Sequence, residues 1–186
     1  MLLETDYSKP ASAVIERAVE VLKSGGVIAY PTDTVYGIGS ILSKESVDRI
    51  RNIKGRAGSA PFSLAFPSAE MVRHYAVLDE DIEWSGGKTY ILEKTGNTPD
   101  YTTSNLPTVG VRVFESGIVH EILKRLGEPI VTTSANISGQ PAPKNVIQIP
   151  DEIKSSVDLV LDCGDCFFGR PSKIIDLTKG GAILRK

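Results

Sequence analysis

Four polar turns, each at the end of an apolar run, hold the residues of this chain that could do chemistry: Thr32 to Thr34, Ser134 to Asn136, Gly169 to Ser172, and a closing segment that ends in Arg185. Each turn brings hydroxyls, an amide or a cation, together with small residues that let backbone approach a ligand closely. Lys54, Arg56 and Arg112 add charge. Lysine offers a compact point charge and arginine a planar fork, so the set suits phosphates and carboxylates, with no acid expected to compete. Turns in general are rich in Ser, Thr, Gly and Asn, so any one of these alone would be ordinary. Only their convergence on one place would make a site.

The elements that must position them are legible as pattern. Ser12 to Lys23 carries apolar residues at helical spacing and stops at Gly25-Gly26. Val27 to Tyr30 reads as a buried strand that empties into a turn over Pro31 to Gly39. Ser43 is a natural N-cap for a helix with Val47, Ile50 and Ile53 on one face, which delivers Lys54 and Arg56 at its far end. Strands are expected at Phe62 to Phe66, Lys88 to Lys94, Thr108 to Phe114, Pro129 to Thr133, Leu159 to Asp162 and Ile174 to Leu177. Short helices are expected at Ser68 to Tyr75, Asp79 to Trp84, Ser116 to Leu126 and Asp151 to Ser155. Asn97 to Pro107 is polar and reads as an exposed, mobile loop. Several strands follow one another directly, which points to an α/β (α+β) fold, a twisted mixed parallel and antiparallel sheet with helices packed on it.

Composition narrows the function classes. At 186 residues and 41% hydrophobic content one substantial core is expected, and one domain over residues 1–186. With 21 basic and 23 acidic residues the net charge is -2, so no global field draws the chain to nucleic acid or an anionic membrane. No apolar run reaches membrane-span length. Two cysteines and the absence of a signal pattern fit a cytoplasmic protein. Gly87-Lys88-Thr89 has the end of a P-loop without its first glycine or its following helix. Cys163 and Cys166 have metal or redox spacing, but a structural zinc needs four ligands and the two histidines, His74 and His120, fall in expected helices, so no metal site is expected. No serine or cysteine lies in a nucleophile elbow, which leaves little for triad catalysis.

The sequence resembles the YrdC/Sua5 family of threonylcarbamoyl-AMP synthases nearly end to end. The likeness is carried by GGVIAYPTDTVYGIG, the KxR pair Lys54 and Arg56, TVGVRV, the SxN turn Ser134 and Asn136 within TTSANISG, DCGDCFFGRPS and the closing ILR. It implies a sheet around a concave basic cleft and the condensation of L-threonine, bicarbonate or carbon dioxide, and ATP to threonylcarbamoyl-AMP and pyrophosphate, for the threonylcarbamoyladenosine of tRNA. Thr34, Arg112 and Ser172 would hold threonine. Lys54, Arg56, Thr108, Thr132, Ser134, Asn136 and Arg185 would surround the nucleotide, with Lys54, Arg56, Ser134 and Asn136 closest to the chemistry. Magnesium would accompany ATP, and a downstream threonylcarbamoyl transferase complex and tRNA would be partners. The absence of a second, C-terminal domain would make this the single-domain form. The chain departs from the family pattern at Ala57, at Ala65, where a histidine is common, and at Lys173, where a threonine is common. Two other readings stay open: a non-catalytic RNA-binding or ribosome-associated protein, and a nucleotide-binding paralogue acting on another amino acid.

Overall fold

The computed structural model describes residues 1–55, 60–78, 82–84 and 87–185. Among these residues the strands are β1 (Leu2–Glu4), β2 (Ile28–Tyr30), β3 (Gly37–Ser40), β4 (Ser63–Phe66), β5 (Lys88–Glu93), β6 (Thr108–Val113), β7 (Ile130–Ser134), β8 (Leu159–Asp162), β9 (Lys173–Asp176) and β10 (Ala182–Arg185). The helices are α1 (Ser12–Lys23), α2 (Lys44–Ile53), α3 (Ala69–Tyr75), α4 (Asp100–Thr103), α5 (Gly117–Leu126) and α6 (Asp151–Ser156). All the strands join one sheet in the order β1-β8-β2-β3-β7-β4-β6-β5-β9-β10. Pairing is parallel for β1–β8, β2–β8, β4–β6 and β5–β9, and antiparallel for β2–β3, β3–β7, β4–β7, β5–β6 and β9–β10. The expected mixed sheet is therefore present.

Alternation along the strands sends side chains to two separate cores. Ala29, Leu64, Phe66, Val111 and Val131 pack with Val47 and Ile50 of α2 on one face. Ile28, Tyr30, Ala65 and Ile130 pack with Ile15 and Leu22 of α1 and Ile118 and Ile122 of α5 on the other. Ser63, Arg112, Thr132 and Ser134 share the parity of this second set, so the sheet face that α1 and α5 cover continues as a polar surface. The site lies on that continuation.

Three expectations are corrected. The turn after β2 is shorter than Pro31 to Gly39, because Gly37–Ser40 is strand β3. Its sequence, GIGS, has too few side chains to show alternation, and the glycines are there for space. A Cβ on Gly39 would stand 2.6 Å from the Val131 carbonyl oxygen and 3.0 Å from the Tyr30 hydroxyl. Asn97 to Pro107 is only in part an exposed loop: Asn97 and Asn105 to Pro107 are exposed, but the segment contains α4, and Thr98, Thr102 and Thr103 are buried. Their hydroxyls donate to backbone carbonyls, Thr98 to Tyr75 at 2.6 Å and Thr102 to Pro99 at 2.7 Å, which removes the cost of burying them. The Phe62 amide also donates to the Thr102 carbonyl. In the expected helix from Asp79 to Trp84, residues 79–81 lie outside the described residues and Ile82, Glu83 and Trp84 are not helical. The edge strand β1, Leu-Leu-Glu, is too short to signal itself by alternation.

Candidate active site

The turn between β2 and β3 is built by Thr32. Its hydroxyl donates to the Val35 carbonyl at 2.7 Å and accepts from the backbone amides of Thr34 and Val35. This is the local hydroxyl-to-backbone bonding that makes Thr a turn former. The Thr32 proton is thus committed, so in the 2.9 Å contact between the Thr32 and Thr34 hydroxyls Thr34 is the donor. Thr34 is left with its lone pairs to accept from Arg112 Nη1 at 2.9 Å.

Arg112 projects from β6, directly opposite Ala65 of β4. Its side chain is 11% exposed and its second terminal nitrogen donates to Asp33. The guanidinium also lies 4.6 Å from the Phe114 ring centroid. An acid does compete here, contrary to the sequence expectation: Asp33 takes part of the Arg112 fork and orients the rest. From the other end of the chain, Arg185 of β10 donates through Nε to the Ser172 carbonyl at 2.8 Å and through Nη2 to the Ser172 hydroxyl at 3.0 Å. Ser172 in turn shares a 2.7 Å hydroxyl contact with Thr89 of β5. Burial, and after it the positive charge of Arg112, push the Arg185 guanidinium below its ordinary value. Two arginines therefore face one space and repel each other across it.

That space is a cavity of about 200 Å³, lined by Thr34, Arg112, Thr132, Ser134, Ser172 and Arg185 among others. At about 30 Å³ per water it holds a ligand of amino-acid size. Thr132 is fixed from below by a 2.6 Å contact with the hydroxyl of Tyr30, itself buried in the second core, where burial pushes the phenol up to about 12. The structure thus brings together Thr34, Arg112, Thr132, Ser134, Ser172 and Arg185. Thr89 and Ser63 join them at the cavity, and Asp33 joins through Arg112; none of the three was expected as a site residue, and a strand threonine or serine carries no local signal of its own.

Lys54 and Asn136 form the adjoining corner. The Lys54 ammonium donates to the Ser134 carbonyl at 2.6 Å, the Asn136 carbonyl at 2.8 Å and Asn136 Oδ1 at 3.3 Å, in a residue only 3% exposed. The Ser134 hydroxyl and the Asn136 side-chain oxygen are bonded to each other, and Asn136 Nδ2 donates to the Ile137 and Gln140 carbonyls. Lys54 therefore sits beneath the SxN turn and shapes it. Arg56 lies outside the described residues. Thr108 starts β6 on the Arg112 face, opposite Glu93, and is not among the residues lining the cavity. Among the described residues no group of three or more His, Cys, Asp or Glu could hold a metal. Burial first, then neighbouring acids, push the Cys163 thiol up to about 12, and burial pushes Cys166 up to about 11, so both are thiols at neutral pH. No helix among the described residues is long and apolar enough to cross a membrane.

Comparison with known proteins places this geometry. The Sua5/YciO/YrdC family profile, described as "Telomere recombination", matches residues 20–186. The chain is 32% identical over 178 residues to the threonylcarbamoyl-AMP synthase of Pyrococcus abyssi, covering 91% of this chain and 52% of that one. It spans about half the length of that relative, but 96% of the threonylcarbamoyl-AMP synthase of Xanthomonas euvesicatoria, to which it is 30% identical over 92% of its own length. The crystal structure of P. abyssi Sua5 complexed with L-threonine superposes with a TM-score of 0.87 at 28% identity, over 96% of this chain and 54% of that one. E. coli YciO superposes with a TM-score of 0.88 at 27% identity, over 100% of this chain and 95% of that one. A family profile over most of the chain, relatives named as synthases and a shared sheet agree with one another, and the chain belongs to the Sua5/YciO/YrdC family.

Proposed function

We propose that this protein is a threonylcarbamoyl-AMP synthase, forming threonylcarbamoyl-AMP and pyrophosphate from L-threonine, bicarbonate or carbon dioxide, and ATP. The observation that carries the reading is the meeting of Arg112 and Arg185, with Thr34 and Ser172, at one cavity of amino-acid size. A small carboxylate there relieves the repulsion between the arginines and receives charge-assisted bonds. The P. abyssi relative, solved with L-threonine, supports threonine as that ligand.

In this reading the threonine amine adds to the carbon of carbon dioxide and loses a proton, giving a carbamate. A carbamate oxygen attacks the α-phosphorus of ATP, the bond from that phosphorus to the bridging oxygen breaks, and pyrophosphate leaves. The protein's part is positioning and charge stabilisation. Arg112 and Ser172 hold the amino acid, and Thr34 presets the Arg112 fork. Ser134 and Asn136, on the turn that Lys54 supports, face the nucleotide with Arg185 and Thr132, and the family likeness adds Thr108 and Arg56 to the residues that would surround it. A magnesium ion would arrive on the ATP phosphates, because the described donors do not fit a protein-held ion and Asp33, the acid beside the cavity, is engaged by Arg112. The product would pass to a transferase acting on tRNA, in keeping with a cytoplasmic site of action.

The test is pyrophosphate release from purified protein. Release that requires threonine, bicarbonate and ATP together is expected, and its absence from folded protein refutes the synthase reading. Ala65, opposite Arg112, replaces a bulkier side chain of the family pattern, so the assay is run over a panel of amino acids. Preference for another amino acid would assign the paralogue reading.

A further inference from the structure

A second cavity, of about 310 Å³, opens beside the first and shares Thr34 and Pro171 with it. Lys88, Arg170 and Lys173 line it, and no acid is among its described lining residues. Lys88 and Lys173 are direct partners across the parallel β5–β9 pair. Neighbouring strands run about 4.8 Å apart, so two cationic side chains leave adjacent positions on one face. Such a like-charge pair is destabilising. The Lys88 ammonium is partly offset by Glu83 at 2.7 Å, but that carboxylate is 74% exposed and the pair is screened by water. The side chains of Arg170 and Lys173 have no hydrogen-bond, ion-pair or ring partner among the described residues. Phe168 and Ile183 give the cavity an apolar wall. Gly87 brings β5 close under the first site, since a Cβ there would stand 2.7 Å from Thr34 Cγ2.

Cations gathered at a cavity whose described lining holds no acid are an arrangement that folding disfavours and an anion repairs. We propose that the second cavity is an oxyanion subsite that takes a phosphate-class group beside whatever fills the first cavity. The group has two possible sources: a free ion such as phosphate or pyrophosphate, or a phosphate carried by the ligand whose other end lies at Arg112. The inference stands on the lining of this cavity and goes beyond the synthase reading, which assigns it nothing.

Titration calorimetry of inorganic phosphate and of pyrophosphate into the full chain, without ATP, tests it. Saturable binding is expected, weakened at least about tenfold by Lys173→Thr and by Arg170→Ser, and retained in Arg112→Gln. Lys173→Thr removes the cross-strand repulsion, so its melting temperature without phosphate should equal or exceed that of the parent. Phosphate should raise the parent's melting temperature and leave that of the variant unchanged. Absence of saturable binding overturns the proposal, as does binding indifferent to both variants or lost only in Arg112→Gln. O-phosphothreonine separates the sources: binding tighter than phosphate and weakened by Lys173→Thr assigns the group to a ligand side chain, and binding no tighter assigns it to the free ion. The titration uses no turnover, so its failure leaves the pyrophosphate-release test standing, and failure of that test leaves the titration readable.

Discussion

At the corner of the cleft formed by Ser134 and Asn136, the Lys54 ammonium is buried and its charge is spent on the carbonyls of that turn. At the β6 and β10 side, Arg112 and Arg185 line an open cavity and are held near each other by Asp33, Thr34 and Ser172. Both regions are cationic and both come from motif residues. The first is an internally satisfied scaffold, whereas the second is an electrostatically unfinished surface. A cation whose donors are spent on one turn shapes that turn, and one that lines a cavity beside a second cation can still answer a ligand.

Mutation can break the contrast. The largest effect is expected for Lys54→Met, which leaves the Ser134 and Asn136 carbonyls without their charged donor. A loss on the order of 3 kcal/mol, read from the urea midpoint, follows from hydrogen bonds to a charged group. Turnover should fall with it because the turn loses its shape. Arg112→Gln should fall more heavily on turnover, lowering kcat/KM by about 2 kcal/mol, or roughly thirtyfold, with a smaller loss at the urea midpoint than Lys54→Met, since it gives up the Asp33 pair and the Thr34 hydrogen bond. If the two variants lose stability equally, the distinction between scaffold and cavity-lining charge is wrong. Tyr30→Phe sharpens the boundary between core and cavity. It removes the bond to Thr132 and should cost about 1 kcal/mol of stability, with a rise in KM for the amino acid larger than the fall in kcat.

The smallest effect concerns pH. Arg49, on the helix that carries Lys54 at its end, grips Asp158 at 2.6 Å. Burial raises the Asp158 carboxyl, but the hydrogen bond and charge of Arg49 and the amide of Val27 outweigh it, and the net shift is downward from 3.8. A depressed carboxyl stabilises the fold above its unfolded value, and that contribution fades as pH falls through the lower folded value. Because both partners are well exposed, the contribution is at most about 0.5 kcal/mol after screening. Acid titration of the parent and Arg49→Ala should therefore converge below pH 3.8 and differ slightly above it.

Legibility followed the density of local signal. The apolar spacing of Ser12–Lys23 and the alternation of Thr108–Val113 are visible in a single window, and both elements lie where that spacing puts them. Strand β3 was hidden because Gly37 and Gly39 carry no side chain to alternate, and their reason, room for the Tyr30 ring and the Val131 backbone, is contributed by other strands. The buried threonines at Thr98, Thr102 and Thr103 looked like loop because polarity predicts exposure only where the hydroxyl has no internal acceptor. Lys54 and Arg112 were equally conspicuous as cations, and nothing local separates them.

The mixed sheet, the family and the set of turns from which a site could be assembled are legible in the chain alone, because they are written in periodicity, turn chemistry and ordered motifs. Folding in three dimensions settled which cation became scaffold and which faced the cavity, that Asp33 shares the Arg112 fork, and that Lys88 and Lys173 lie side by side across β5 and β9. Those outcomes depend on pairings between residues far apart in the chain, and a charge acquires its role from the partners that folding brings within hydrogen-bond reach.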